Sequence, residues 1–434
     1  MNWARAKYWL RQFVYQAGCL AERLATGSVI NLTAANFLAD PYPHFARLRQ
    51  KGPIARSLSV GGYWATDFAT VQTVLLDKRF GADVRPYPKH AAQARGLLTD
   101  PLDLQAFDNP SMLTLDPPEH GRVRRLTTRA FTRRFIDSLA PRIELIVDTC
   151  LDGVGNQPSF DVVDVLAKPL PAIVIAEMMG LPKADHEQFQ VWSEALIDAT
   201  ANPNLPEAEY GSWANRALLR YFERIIASRR DQPPQDDLIG LLMAAEEAGD
   251  KLNAVELYNN CLLLLVAGHE TTTRLIGNAV HLLLTHPEAL ASLRDEPALM
   301  SGLVEETLRF DPPVQATQRF VREDLTLADQ NLRRGDIVLV SIAGANRDPD
   351  VMAEPDRFDI TRESIKQVSF GHGIHLCIGA HLARLEASIA ITRLLERYPS
   401  IALDAEPPRR SMNPFFRGFE ALHLAVSSPH SSAP

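Results

Sequence analysis

A short stretch of the sequence, FGHGIHLCIG at residues 370–379, places one cysteine among three glycines and two histidines. The residues that follow have helical periodicity, so Cys377 lies at or just before a helix N-terminus, where backbone N–H groups favour a thiolate. Gly371 and Gly373 allow the positive φ angles of a tight turn. The cysteine could be an inert buried side chain, a nucleophile with His375 as its base, or a metal ligand. The turn offers no evident oxyanion arrangement, which disfavours the nucleophile.

A second candidate site, AGHETTT at residues 267–273, lies inside a long apolar segment. The zinc-protease motif HExxH is excluded because Thr273 stands where its second histidine would be. What remains is an acid followed by an alcohol, Glu270 and Thr271, preceded by Gly268, which can loosen the helix and open a groove. A buried glutamate is costly unless it serves a purpose, although a buried ion pair or a solvated kink would also explain it.

Two charged patterns accompany these segments. In EETLR, Glu306 and Arg309 stand three residues apart and can pair on one helix face, which is a common spacing. Residues 119–134 hold six arginines against one acid, in a chain whose net charge is -8. This segment is either a solvated helix face or a surface for an anion or an acidic partner. Its arginines are Arg122, Arg124, Arg125, Arg129, Arg133 and Arg134.

Helical periodicity dominates the sequence, and strands are few. The longest helical segment, residues 252–284, begins with Asn253 as its N-cap and Glu256 three residues later, which is a capping-box spacing. Its interspersed charged and polar residues exclude a membrane span, so we expect a buried central helix. Residues 54–66 predict a hairpin and residues 337–341 predict another strand. The other predicted helical segments are residues 143–151, 170–179, 213–226, 300–310 and 378–395.

The composition fits a large globular protein, with 434 residues of which 46% are hydrophobic. The negative net charge makes the protein as a whole a poor match for nucleic acid or an anionic membrane. The four cysteines include no CxxC pair, which disfavours a disulfide framework and fits a reducing cytoplasm. Residues 1–25 mix basic and aromatic side chains and could form an amphipathic helix. We expect this helix to pack on the body rather than to anchor in a membrane.

Taken together and in this order, these segments resemble the cytochrome P450 family, the haem-thiolate monooxygenases. FGHGIHLCIG matches the family's cysteine-ligand signature at every fixed position, AGHETT matches its oxygen-binding motif, and EETLR contains its Glu-x-x-Arg. ANRDP, PDRFDITR and DPPEHGRVRR, at residues 345–349, 355–362 and 116–125, are similar to flanking motifs of soluble bacterial members.

The resemblance implies a fold and a domain organisation. The fold class is mainly α with small β-sheets, and haem lies between a long central helix and the cysteine loop. Residues 1–30 would form a helical arm, residues 31–426 a single haem domain, and residues 427–434 a flexible tail. The protein is expected to be a cytoplasmic monomer with no stable membrane span and no nucleic-acid partner.

The resemblance also implies a role for each matching residue. Cys377 would be the axial ligand of the iron of haem b, with Phe370 packed beside its sulfur. Gly371, Gly373 and Gly379 would permit close approach of the backbone and the porphyrin. The residues expected to pair with the haem propionates are His120, Arg124, Arg319 and His375. The expected buried charge triad, which helps to hold the cysteine loop, consists of Glu306, Arg309 and Arg357.

The implied reaction is hydroxylation or epoxidation of a hydrophobic small molecule by O2. A kink of the central helix at Ala267 and Gly268 would leave room for O2, while Thr271, backed by Glu270, would deliver protons through ordered water. Electrons would come from a separate ferredoxin or flavodoxin, because the haem fold uses up the chain. The basic face expected to bind this partner contains Arg122, Arg125 and Arg129.

Three alternatives remain at this point. A peroxide-driven peroxygenase of the same fold is disfavoured, because fatty-acid peroxygenases replace the acid–alcohol pair by Arg-Pro and this chain keeps Glu270 and Thr271. A non-catalytic haem-thiolate sensor and a cysteine enzyme without haem are the other two. The substrate could be a terpenoid, a steroid, a fatty acid or a polyketide. The expected pocket residues are Val266, Val314, Gln315, Thr317, Phe415 and Phe416.

Overall fold

A computed structural model describes residues 3–27, 29–96, 98, 100–128, 131–201, 206–233, 235–247 and 252–427 of the chain. The described residues are mainly helical and carry small sheets, as the sequence predicts. None of the helices among them is long and apolar enough to cross a membrane.

The first nine helices of the described chain lie within residues 3–152. They are α1 Trp3–Thr26, α2 Ala35–Ala39, α3 Tyr42–Arg49, α4 Phe68–Leu76, α5 Pro88–Arg95, α6 Pro101–Asp108, α7 Glu119–Thr128, α8 Arg133–Ser138 and α9 Ala140–Asp152. The remaining helices are α10 Pro169–Met178, α11 His186–Ala201, α12 Pro206–Arg229, α13 Leu238–Glu247, α14 Ala254–Thr285, α15 Pro287–Asp295, α16 Met300–Phe310, α17 Ile342–Asn346 and α18 Ala380–Arg397. Short helical turns at Val163–Ala167, Lys183–Asp185, Pro297–Leu299 and Gly373–His375 connect them.

The strands form two larger sheets and two pairs of strands. They are β1 Ile54–Ser57, β2 Gly62–Ala65, β3 Phe80–Gly81, β4 Ser159–Asp161, β5 Ala316–Val321, β6 Leu325–Leu327, β7 Gln330–Leu332, β8 Ile337–Ser341, β9 Ile401–Leu403, β10 Arg409–Arg410, β11 Phe419–Ala421 and β12 His423–Val426. The larger sheet has the order β1-β2-β8-β5-β3, in which β2 and β8 are parallel. The smaller sheet has the order β4-β12-β9, while β6 with β7 and β10 with β11 form two-stranded pairs.

Helix α14 runs through the main hydrophobic core. Its 32 residues span about 48 Å at 1.5 Å per residue. The predicted capping box is present: the side chain of Asn253 accepts from the backbone N–H groups of Val255 and Glu256, and the Glu256 carboxylate accepts from the N–H of Asn253 at 2.8 Å. This cap fixes where the helix begins and so fixes the position of the AGHETTT segment at its middle.

The predicted hairpin and strand are confirmed. Strands β1 and β2 pair antiparallel within residues 54–66, and β8 coincides with residues 337–341. A second core cluster lies between this sheet and α4, and a third packs α2 and α3 against the sheet through Phe37, Phe45 and Trp64. Strand β5 of this sheet carries Arg319.

Candidate functional site

The cysteine loop connects the turn at Phe370 to α18. Gly371 and Gly373 have φ of 73° and 69°, as the sequence predicts. A Cβ at Gly373 would also come within 2.9 Å of the carbonyl oxygen of Leu75, so this position has no room for a side chain. The N–H of Cys377 donates to the carbonyl of Phe370 at 2.8 Å. This bond closes the loop and fixes the cysteine just before the helix begins.

Opposing effects act on the thiol of Cys377. Desolvation of the sulfur by the surrounding protein raises its pKa, while the backbone N–H of Gly379 and the guanidinium groups of Arg124 and Arg384 lower it. A bound metal ion would reverse the net direction, because coordination removes the thiol proton. Gly379 leaves the space beside the sulfur open, since a Cβ there would meet only the Cys377 sulfur, at 4.0 Å.

A cluster of cationic and imidazole donors lies next to the cysteine loop. The rings of His120 and His375 are 4.3 Å apart between centroids, and the Nε2 atom of each is buried without a hydrogen-bond partner among the described residues. Burial, with Arg319 and Arg124 nearby, lowers the pKa of His120 to about 4 and that of His375 to about 3. Arg124 donates to the carbonyl of Leu376 at 2.5 Å.

This donor cluster fits the two propionates of a haem. Unpartnered buried donors carry a free-energy cost that an acceptor would remove, and two carboxylates supply several acceptor oxygens. Arg319 is largely buried, and burial lowers its pKa, so an anion beside it would be stabilised strongly. The structure thus brings together the four predicted propionate partners, His120, Arg124, Arg319 and His375, with Cys377.

On the central helix, the residues of the predicted oxygen-binding motif differ in how far they are exposed to solvent. Ala267 is exposed and Thr271 is half-buried, whereas His269 and Glu270 are buried. The hydroxyl of Thr271 donates to the carbonyl of Ala267 at 2.8 Å. These two residues therefore face an opening beside α14.

The predicted kink at Ala267 and Gly268 does not interrupt the helix, which is continuous from Ala254 to Thr285. The space at Gly268 is taken by helix α10: a Cβ there would lie 3.2 Å from the side chain of Ile175. The glycine therefore serves close packing of α10 on α14. The hydroxyl groups of Thr271 and Thr273 bond back to the carbonyls of Ala267 and His269, and these bonds leave the helix unbroken.

The acid of the pair is buried beside an arginine. Arg274 approaches the carboxylate of Glu270 at 3.6 Å, and Nδ1 of His269 approaches it at 3.7 Å. Burial raises the pKa of Glu270, and Arg274 and Lys168 oppose that rise. The pKa of Asp198 is also raised, by desolvation and then by the nearby Glu270. Asp198 could not be predicted from the sequence, because α11 lies far from this segment of α14 along the chain.

The buried charge cluster under the cysteine loop corrects the prediction for Arg357. Glu306 and Arg309 are fully buried and form a bidentate ion pair with two contacts of 2.7 Å. The second arginine on Glu306 is Arg362, at 3.3 Å. The side chain of Arg357 is 57% exposed and pairs with Glu354 and Asp359, so its predicted place in the triad is wrong.

Arg357 contributes through its backbone, since its carbonyl accepts hydrogen bonds from both Arg309 and Arg362. The two arginines in PDRFDITR occupy different environments because the chain turns back at Asp359, whose N–H donates to Glu306 at 2.9 Å. That turn buries the second arginine and leaves the first at the surface.

One further arginine near the cysteine was missed from the sequence. Arg384 lies over the ring of Phe370, with its guanidinium carbon 4.4 Å from the ring centroid, and it pairs with Glu305. It stands one helical turn after Ala380, the first residue of α18, and this spacing could have indicated it. Arg384 therefore covers the ring of Phe370 and also lowers the pKa of Cys377.

The predicted pocket residues lie in different environments. Val314 forms an isolated bridge with Phe416, and Val266 is half-buried against the main core. Gln315 is buried; its amide nitrogen donates to the carbonyl of Pro312 at 2.7 Å, and its amide oxygen has no hydrogen-bond partner among the described residues, so its contact with substrate stays a prediction. Thr317 is half-buried on β5, and Phe415 packs against the third core cluster.

The predicted basic face is partly engaged. Arg122 pairs with Glu256 at 2.5 Å, which ties α7 to the start of α14. Arg125 is exposed, and Arg129 lies outside the described residues. No group of three or more metal-binding side chains occurs among the described residues, and the four cysteines are free thiols.

Comparisons with known proteins identify the family of the chain. A family model described as cytochrome P450 matches residues 98–420. The chain is 41% identical over 411 residues to cytochrome P450 107B1 of Saccharopolyspora erythraea, covering 92% of this chain and 98% of that protein. It is 40% identical over 376 residues to the vitamin D(3) 25-hydroxylase of Pseudonocardia autotrophica, covering 86% and 90%.

Among solved structures, P450BioI in complex with an acyl carrier protein ligated to hexadec-9Z-enoic acid matches at a TM-score of 0.83 and 36% identity, covering 91% of this chain and all of that one. The identity, the coverage and the match of the family model over most of the chain point to the same assignment. The chain belongs to the cytochrome P450 family and is a cytochrome P450 monooxygenase.

Proposed function

We propose that this protein binds haem b through Cys377 and inserts one oxygen atom of O2 into a hydrophobic small molecule. The observation that carries the proposal is the pair of buried, unpartnered Nε2 atoms of His120 and His375, beside two arginines and next to the cysteine loop. A thiol and an anion-binding cluster this close together match the iron and the two propionates of one haem.

The chain's own residues would hold the cofactor. The thiolate of Cys377 would ligate the iron, and the N–H of Gly379 would stabilise the negative sulfur. His120 and His375 would donate to the propionates, and the guanidinium groups of Arg124 and Arg319 would neutralise them. Family membership implies haem, and bound haem supplies the oxidising chemistry: substrate, O2, two electrons and two protons give oxygenated substrate and water.

The residues of α14 would manage the protons. The hydroxyl of Thr271 now donates to the carbonyl of Ala267 and can rotate to donate toward O2 in the opening beside the helix. The buried carboxyl of Glu270, whose pKa is raised, can hold a proton and pass it to Thr271 through water. Arg274 holds this carboxylate at 3.6 Å and so sets its resting position.

The substrate is expected to be a lipophilic compound with few polar groups. Four of the six expected pocket residues, Val266, Val314, Phe415 and Phe416, are apolar. Relatives support this class: one is named a vitamin D(3) 25-hydroxylase, and one structural neighbour holds a hexadecenoic acid on a carrier protein. The proposed substrates are a steroid, a terpenoid, a fatty acid or a polyketide.

The electron donor is expected to be a ferredoxin or flavodoxin with an acidic surface. Exposed Arg125, followed by Arg133 and Arg134 at the start of α8, gives this region a basic character close to the cysteine loop. Arg122 contributes less, because Glu256 already pairs with it.

The test is a reduced carbon-monoxide difference spectrum combined with turnover on a lipophilic library. The wild-type protein should show the thiolate band and form oxygenated products with O2, a ferredoxin and its reductase. The Cys377→Ala variant should lose both, whereas the matched Cys150→Ala variant should keep both, because Cys150 lies on α9 away from the loop.

Three results would contradict the proposal. A colourless wild-type protein would exclude haem, and a thiolate band that survives in Cys377→Ala would remove this residue as the ligand. Product formation with peroxide alone, at the rate seen with the electron donor, would favour a peroxygenase instead.

A further inference from the structure

Helix α14 carries a buried histidine that no step of the proposed mechanism uses. His269 is 1% exposed, and neither of its ring nitrogens makes a well-formed hydrogen bond among the described residues. Burial lowers the pKa of its imidazole to about 4, while Glu194 and the backbone of Lys168 oppose that effect. The ring is therefore neutral at physiological pH, and one of its nitrogens carries an electron pair that can accept a hydrogen bond. A buried acceptor in this position calls for a donor.

The neighbouring carboxyl on the same helix approaches both this ring and an arginine. Oε1 of Glu270 lies 3.7 Å from Nδ1 of His269, and Oε2 of Glu270 lies 3.6 Å from Nη2 of Arg274. Both distances exceed that of a hydrogen bond, so the carboxyl stands between two partners and is bonded to neither. A movement of about 0.7 Å toward either partner would form an ordinary hydrogen bond.

The two partners favour opposite protonation states of Glu270. A guanidinium group can only donate, so Arg274 favours the carboxylate. With its proton on Nε2, the neutral ring of His269 can only accept at Nδ1, so it favours the protonated carboxyl, whose O–H donates. Burial also favours the protonated carboxyl and raises the pKa of Glu270. Burial and His269 therefore act in one direction, and Arg274 acts against them.

We propose that His269 is a positioning residue of the proton path: it accepts a hydrogen bond from the carboxyl of Glu270 and keeps that carboxyl in the form that carries a proton. The inference rests on the proposed function, in which Glu270 passes a proton to Thr271 through water. When the carboxyl O–H bond breaks, the proton goes to that water and the carboxylate turns to Arg274. A proton from solvent then restores the O–H bond and the contact with His269.

The other groups that act on this pair are charged. They are two cations and two acids: Lys168, Arg274, Glu194 and Asp198. Lys168 is engaged by carboxylates at 3.0 and 3.5 Å, and both cations lower the pKa of Glu270. Asp198 lies on exposed α11, and its like charge disfavours ionisation of both carboxyls. Among these described groups, His269 is the neutral acceptor beside Oε1.

The experiment is infrared difference spectroscopy of the whole holoenzyme as a function of pH, at rest and without turnover. The band of the protonated Glu270 carboxyl is identified by its loss in Glu270→Gln. In His269→Phe, the pH midpoint at which this band disappears should fall by about one pH unit, because the protonated form loses a hydrogen bond. In His269→Asn the midpoint should return toward the wild-type value, since the amide oxygen of asparagine can take the place of Nδ1.

Turnover gives a second readout, measured as product formed per electron consumed. His269→Phe should form at least about threefold less product per electron than wild type with unchanged substrate binding, and His269→Asn should recover most of this loss. The matched control is His281→Phe, the same substitution at another neutral histidine of α14, eleven residues after Glu270. It should leave the infrared midpoint and the coupling unchanged, because about three helical turns separate it from Glu270.

The proposal is overturned by any of three results: a wild-type infrared midpoint in His269→Phe, a fall that His269→Asn does not reverse, or an equal fall in His281→Phe. If His269→Phe does not fold, the nitrogen-15 resonance of Nδ1 of His269 decides. It should move in Glu270→Ala, and an unchanged resonance overturns the proposal. These spectra are recorded on resting protein, whereas failure of the proposed haem chemistry would show in the carbon-monoxide spectrum, so the two failures can be told apart.

Discussion

Replacing each of the two arginines of PDRFDITR separately tests which one supports the cysteine loop. In Arg362→Ala, Glu306 keeps its bidentate pair with Arg309 and loses the contact at 3.3 Å. In Arg357→Ala, the carbonyl that accepts from both buried arginines remains, because it belongs to the backbone. The two variants therefore remove the same charge from the same loop but different buried contacts.

The expected magnitude follows from what the Arg362 side chain does. This side chain is 11% exposed and donates to the carbonyls of Ala353, Glu354 and Arg357 at 2.9 to 3.0 Å. Losing these bonds together with the contact to Glu306 should lower the free energy of unfolding by about 3 kcal/mol. The exposed pairs of Arg357 are screened by solvent, so its loss should leave the unfolding midpoint within experimental error.

The assay is urea unfolding of both variants, followed by circular dichroism, together with the haem content of freshly purified protein. Arg362→Ala should shift the midpoint to lower urea and bind less haem, because the loop that carries Cys377 follows this segment. Arg362→Lys should recover part of the loss by restoring the charge without the planar fork. Equal losses in Arg357→Ala and Arg362→Ala would refute the reasoning.

Three other perturbations have defined outcomes. Thr271→Ala should still bind substrate but should divert electrons to peroxide, which is checked as product formed per electron consumed; full coupling would remove this hydroxyl from the proton path. His120→Phe should weaken haem retention several-fold in a transfer assay to apomyoglobin, since it deletes one unpartnered donor; unchanged transfer rates would separate it from the propionates. Burial and the nearby Arg410 lower the pKa of His281 from 6.5 to about 4. Between pH 6.5 and about 4, the unfolded chain therefore takes up a proton that the folded chain does not. Stability should therefore be complete above pH 6.5 and fall as the pH drops toward 4, and His281→Phe should reduce that fall by about 2 kcal/mol in urea titrations at several pH values.

The sequence predicts the elements well where one local pattern decides the structure. The capping box at Asn253, the strand at residues 337–341 and the positive φ of Gly371 each depend on residues that are neighbours in the chain. The cysteine signature belongs to this group as well, because its loop closes on itself through the bond from Cys377 to Phe370.

The errors concern which side chain reaches which partner across the fold. Arg357 and Arg362 are five residues apart, and only the turn at Asp359 decides that the second is buried. The amide nitrogen of Gln315 bonds to the carbonyl of Pro312, three residues earlier, which the sequence does not indicate. Such choices depend on tertiary packing, which residue spacing does not encode.

Opposing effects act on the carboxyl of Glu270. Burial raises its pKa, Arg274 and Lys168 lower it, and the net rise is what remains of these effects. Asp198 adds a second carboxyl whose pKa is raised by burial and by Glu270, so the two acids disfavour simultaneous ionisation. Asp198 on α11 is exposed to solvent whereas Glu270 on α14 is buried, so the two interacting carboxyls connect the surface with the interior end of the proposed proton path.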